Sequence, residues 1–113
     1  MVPKLKIVVL QPPKQGFLGS GPEASVYDVA EVPDTLDALQ GVVGGYIEEL
    51  PRSHELSRQL PAGVVAVCNE EGAMRQLPRN CWGLRGTVFF VRSKGESYAS
   101  LTPRDIQAIA RMF

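Results

Sequence analysis

The sequence predicts an α+β fold: one largely antiparallel sheet of about four or five strands with two helices packed on it. Dense β-forming runs at residues 5–11, 64–68 and 87–92 read as strands. Two stretches, beginning at Leu36 and at Pro103, place apolar residues at helical spacing. Strands and helices follow one another without regular alternation, which argues against a doubly wound parallel sheet.

Residues 5–11 are an apolar run without clear alternation, as in a strand covered on both faces and therefore central. Residues 12–22 change to Pro, Gly, Lys, Gln and Ser, a composition that buries too little apolar surface to order firmly, so a mobile loop is expected. Its glycines, Gly16, Gly19 and Gly21, match neither the phosphate loop nor the dinucleotide fingerprint, and Lys14 precedes them instead of following. Residues 25–32 alternate with neither face purely apolar, which suits an edge strand ended by Pro33.

Leu36, Leu39 and Val43 then set one face of a short helix, with Asp34 or Thr35 placed to cap its first amides. Gly44 and Gly45 stand where the helix needs a left-handed residue, so at least one of them should have a positive φ. Gln40 lies beside the apolar stripe, and a half-buried amide there must bond either the backbone of the glycine turn or a ligand. Residues 46–50 read as a strand of mixed polarity. Residues 51–63 read as an exposed connection with one helical turn around Leu56 and Leu60. The only histidine, His54, falls in that segment without the partners of a metal site or a catalytic base, and reads as a solvated loop residue.

Residues 64–68 and 73–77 suggest a hairpin across Asn69, Glu70, Glu71 and Gly72. Glu70 and Glu71 invite an acid/base or magnesium reading. Adjacent residues at a turn tip normally face water, and the Asn69 side chain is suited to cap the turn amides. The loop 78–86 holds Asn80 and Trp82; the indole either roofs the core or anchors a partner or an aromatic ligand. Residues 87–92 are a second inner strand, expected near the first. Thr102 as cap, Pro103 at the first helical position and Asp105 three after the cap form a capping box with Asp in place of Glu. Ile106, Ile109, Ala110 and Phe113 make one stripe. Both helices are expected on one face, with Leu36, Leu39, Val43, Ile106 and Ile109 burying against Val8, Val65, Val67, Val88 and Phe90.

A chain of 113 residues suits one domain spanning 1–113. Its 12 basic and 12 acidic residues cancel, so no global field draws in nucleic acid or an anionic membrane. The apolar run after Lys4 and Lys6 is too short for a signal peptide, and no other run approaches a membrane span, so a cytoplasmic protein is expected. Cys68 and Cys81 are too far apart for a Cys-x-x-Cys knuckle; free thiols fit, and a bridge across a hairpin is the alternative.

The ordered motifs Leu39-Gln40-x-x-Val43-Gly44-Gly45-Tyr46-Ile47-Glu48, Asn69-Glu70-Glu71-Gly72, Leu77-Pro78-x-Asn80, Gly86-Thr87-Val88 and Ser100-Leu101-Thr102 resemble a family of small uncharacterised proteins, a domain of unknown function met in bacteria, their phages and their plasmids. The loop before Glu23 and residues 51–63 carry none of these motifs. The resemblance implies a small accessory protein and brings no activity or catalytic residue.

No nucleophile and base pair, no metal constellation and no phosphate loop are visible, and the carboxylate pairs Glu48 with Glu49 and Glu70 with Glu71 are neighbours that a strand or turn points apart. The reading is a non-catalytic binding or interaction module with no cofactor or metal, partnered by another protein or a second copy. The alternative is a small enzyme or nucleotide-type ligand binder using Gln40, Asn69, Glu70 and Asn80. Those four, with Trp82, are the candidate ligand-binding residues, because they fall at element ends where loops gather functional groups.

Overall fold

The computed structural model describes residues 3–11, 26–72, 84 and 86–112. The glycine-rich stretch, the return strand expected over 73–77, and Asn80, Cys81, Trp82 and Phe113 lie outside the described residues. Among the described residues, six antiparallel strands form one sheet: β1 (Lys4–Gln11), β2 (Val26–Pro33), β3 (Ile47–Glu49), β4 (Val64–Asn69), β5 (Val88–Lys94) and β6 (Ser97–Ala99). Three described helices accompany it: α1 (Leu36–Val43), α2 (Glu55–Gln59) and α3 (Pro103–Ala110).

The strand order is β2-β1-β5-β4-β3, with β6 also on β5. The dense runs are the inner strands: Phe90 of β5 pairs with Val8 on one side and Ala66 on the other. The alternating, mixed-polarity strands β2 and β3 are the edges of this path. Beyond β6 the chain runs beside the start of β1, where Lys6 N donates to Ser100 Oγ at 2.9 Å and Leu101 N to the Lys6 carbonyl at 2.9 Å. Only three residues long, β6 has too little pattern to be read in advance.

The helices do not share a face of the sheet, contrary to expectation. Leu39 and Val43 of α1 pack with Leu5, Ile7, Val65, Val67, Phe89 and Val91. Leu56 of α2 and Ile109 of α3 pack on the other side with Val8, Leu10, Val64, Ala66, Val88 and Phe90. The cause lies in the strands themselves. Successive side chains point to opposite faces, so a continuous apolar run presents apolar surface to both, and each uncovered Val or Phe would forgo roughly 1.5–3 kcal/mol of burial. Leu36, at the first position of α1, is 59% exposed and takes no part in the core.

Local capping follows the sequence closely. Thr35 Oγ1 accepts from Ala38 N at 3.1 Å, and α1 closes at Gly44 with φ 77°. The amides of Gly44 and Gly45 donate to the Gln40 carbonyl at 2.9 and 3.1 Å, a Schellman-type ending. Residues 51–63 are the largely exposed connection expected, and the helical turn around Leu56 and Leu60 is present as α2; within it Leu56 is fully buried and Leu60 packs beside it. His54 is not a solvated loop residue. Its Nδ1 accepts from Leu56 N at 3.1 Å and caps α2. No described helix is long and apolar enough to cross a membrane.

Candidate functional site

Two polar regions were built by this fold, and only one was visible beforehand. At the first, the closing turn of α1, the start of β3 and the end of β4 meet. Asn69 is 5% exposed, and its side chain holds the junction together: Nδ2 donates to the Val43 carbonyl at 3.1 Å while Oδ1 accepts from Glu71 N at 2.7 Å. Glu70 N donates to the Tyr46 carbonyl at 2.9 Å, and the side chains of Glu70 and Glu71 face solvent. Gln40, half-buried, meets the glycine turn through its backbone carbonyl and not through the side-chain amide pictured for that bond. The fold thus gathers Gln40, Asn69 and Glu70 at one end of the sheet. Both hydrogen-bonding groups of the Asn69 side chain are engaged in holding backbone there. Asn80 and Trp82, the remaining candidates, lie outside the described residues.

The second region lies on the opposite face, between α3, the end of β5 and the turn before β4. Arg92 Nε donates to Asp105 Oδ2 at 2.7 Å and Nη2 to Oδ1 at 3.0 Å. Asp105, 2% exposed, also accepts from Thr102 N at 2.9 Å, while Thr102 Oγ1 accepts from Asp105 N at 3.2 Å. Burial works against the Asp105 carboxylate, but its hydrogen bonds from Arg92 and Thr102 and the charge of Arg92 prevail, and its pKa lies below the ordinary value of 3.8. The Arg92 side chain remains about one-third exposed, at 33%. It flanks a groove of about 730 Å³ whose other charged walls are Arg104 and Arg111, with Gln107 between them and Pro61, Ala62 and Ala108 at its sides. Among the described residues, Asp105 is the only acidic one lining it.

Gly63 makes room for this arrangement. It sits at φ 85°, and a Cβ there would stand 2.6 Å from Arg92 Nη1. Its carbonyl accepts from Ser93 N at 2.8 Å, which holds the turn against β5.

A sequence profile described as Domain of unknown function (DUF3846) matches residues 21–113. The chain belongs to the DUF3846 family. Every residue of the α3 groove lies within the matched region, as do residues 51–63, which carry none of the motifs of the resemblance. No curated protein and no solved structure matches this DUF3846 chain.

Elsewhere among the described residues of the DUF3846 domain, Ser57 Oγ is buried without a hydrogen-bond partner, while Tyr98 and Cys68 each have one. Tyr98 donates from its hydroxyl to Glu49 Oε1 at 2.9 Å; burial first, then this bond and the Glu49 charge, push its pKa up to about 12. Cys68 is a free, half-buried thiol whose Sγ lies 3.5 Å from the Glu48 carbonyl, and burial, with a smaller push from the Glu48 charge, raises its pKa. Such a thiol is poorly nucleophilic. Among the described residues no three His, Cys, Asp or Glu side chains converge as metal ligands would.

The groove was missed in the sequence, yet signals for it existed. The alternation of β5 puts Arg92 in phase with Val88 and Phe90, toward the helix-covered face, where a cation needs a buried carboxylate. Asp105, recognised only as a cap residue, is that carboxylate. Arg104, Gln107, Ala108 and Arg111 fall at helical spacing on the solvent side of the core stripe.

Proposed function

We propose that this DUF3846 domain is a non-catalytic binding module, of the accessory kind implied by its resemblance to proteins of bacteria, phages and plasmids, and that it holds an anionic partner in the groove of α3. The observation that carries this reading is the charge of the groove: among the described residues Arg92, Arg104 and Arg111 line it against Asp105 alone, and Asp105 is already bonded to Arg92. Two guanidinium groups are thereby left in excess of the carboxylate in a concave surface of ligand-sized volume. The overall charge of the chain is zero, so the field that favours anions is local to this face. The chemistry available there is recognition by charge-assisted hydrogen bonds, with no group placed as a nucleophile.

A thermal-shift screen of the purified chain against a small panel of anions tests the reading. The panel contains inorganic tripolyphosphate, a poly-glutamate peptide and a single-stranded oligothymidylate. At least one should raise the melting temperature of the wild type and not of Arg104→Glu/Arg111→Glu; saturation at about 100 times Kd adds roughly 2.7 kcal/mol. Stabilisation by none of the three, or equal stabilisation of wild type and variant, would remove the groove as a binding face.

A further inference from the structure

We infer that the occupant of this groove is an extended, acidic segment of another protein, an inference that rests on the reading of the groove as an anion-binding face. Four features select a carboxylate-bearing peptide over a phosphate-bearing ligand. The first is the N-terminus of α3, the natural seat for a phosphate on this face. It is already filled: the Asp105 carboxylate accepts from Thr102 N, and Asp105 N is bonded to Thr102 Oγ1. A phosphate brought there meets a fixed negative charge.

The second is that, among the described residues, no aromatic ring lines the groove. Single-stranded nucleic acid is held by stacking its bases on aromatic side chains along a basic track, and the described wall supplies the basic component. The third is the apolar part of the lining. Pro61, Ala62 and Ala108 are small or compact, leaving space for a main chain to lie close, while the Gln107 carboxamide can both donate to and accept from peptide groups.

The fourth is spacing. Arg104 and Arg111 are two helical turns apart, about 10.5 Å along the axis, a span covered by roughly three residues of extended chain. In a polyproline-II-like extended chain, which repeats every three residues and rises about 3.1 Å per residue, acidic residues three apart face the same side and place one carboxylate against each guanidinium, each able to take a two-pronged bond.

The test measures fluorescence anisotropy of three labelled probes with the full chain: a peptide with Glu at every third position, the same composition with the glutamates clustered, and a single-stranded oligothymidylate of equal charge. The spaced peptide should bind tightest, weaken as salt rises, and lose roughly tenfold in affinity to Arg104→Gln/Arg111→Gln, since two exposed ion pairs are removed. Arg104→Lys/Arg111→Lys, which keeps the charge and loses the fork, should retain part of the binding. Unchanged melting temperatures would show that both variants are folded. Tighter binding of the oligothymidylate, itself lost in the Gln variant, would overturn the peptide inference and leave the anion groove standing. No binding of any probe would overturn both.

Discussion

Arg92 and Asp105 form a two-pronged ion pair, at 2.7 and 3.0 Å, that fastens the end of β5 to the first turn of α3. Because the Asp105 pKa is depressed in the fold, its contribution is fully present above its ordinary value of 3.8 and is lost as pH falls through the folded value. Asp105→Asn should cost about 2–3 kcal/mol at neutral pH, measured by urea denaturation. The gap between wild type and variant should narrow as the solution is acidified through that range. A gap that is constant with pH would mean that the pair contributes packing and not charge.

Gly44 and Gly63 both have positive φ, but their surroundings differ. Nothing lies within 4 Å of a Cβ on Gly44, so Gly44→Val should lose only backbone energy, on the order of 1–2 kcal/mol. At Gly63 a Cβ also collides with Arg92 Nη1. Gly63→Ala should therefore weaken anion binding as well as stability, whereas Gly44→Val should leave binding unchanged; chemical denaturation and anisotropy on both variants check the contrast.

Asn69→Ala strips partners from the Val43 carbonyl and the Glu71 amide. The expected loss is about 2 kcal/mol in the midpoint-derived stability. Affinity for anionic probes should be unaffected, because the residue acts at the far junction. A fall in affinity without a fall in stability would return Asn69 to the candidate ligand-binding set.

Tyr98 gives an alkaline signature. Its folded pKa of about 12 exceeds the ordinary value of 10.0, so its contribution is present below that ordinary value and is lost as pH climbs toward the folded one. An ultraviolet tyrosinate titration should show a late phase near pH 12 that is missing in Tyr98→Phe. The same phase persisting in the variant would contradict the Tyr98–Glu49 contact.

The elements most legible in the sequence were those fixed by local chemistry. Thr35, Gly44, Thr102 and Asp105 each act where short-range capping rules put them, and the unbroken apolar runs marked β1 and β5 as inner strands. The same runs already implied cover on both faces, so the single-layer arrangement of helices conflicted with their own pattern. The helical turn at Leu56 was legible, but the capping role of His54 was not, since histidine is not among the usual N-cap residues. The groove was least legible, because Arg92 and Asp105 are 13 residues apart and their pairing depends on how α3 returns over the sheet. Asn69 was read as capping the turn amides, and its side chain does so at Glu71 while also holding the Val43 carbonyl.

The most direct measurement is a titration of the isotopically labelled chain followed by nuclear magnetic resonance, reading the backbone amides and the arginine Nε groups while the spaced glutamate peptide is added. Shifts concentrated at Arg92, Arg104, Gln107 and Arg111, saturating together and abolished by Arg104→Gln/Arg111→Gln, are the predicted result. Shifts that centre on Gln40, Asn69 and Glu70 and leave α3 unmoved would contradict it.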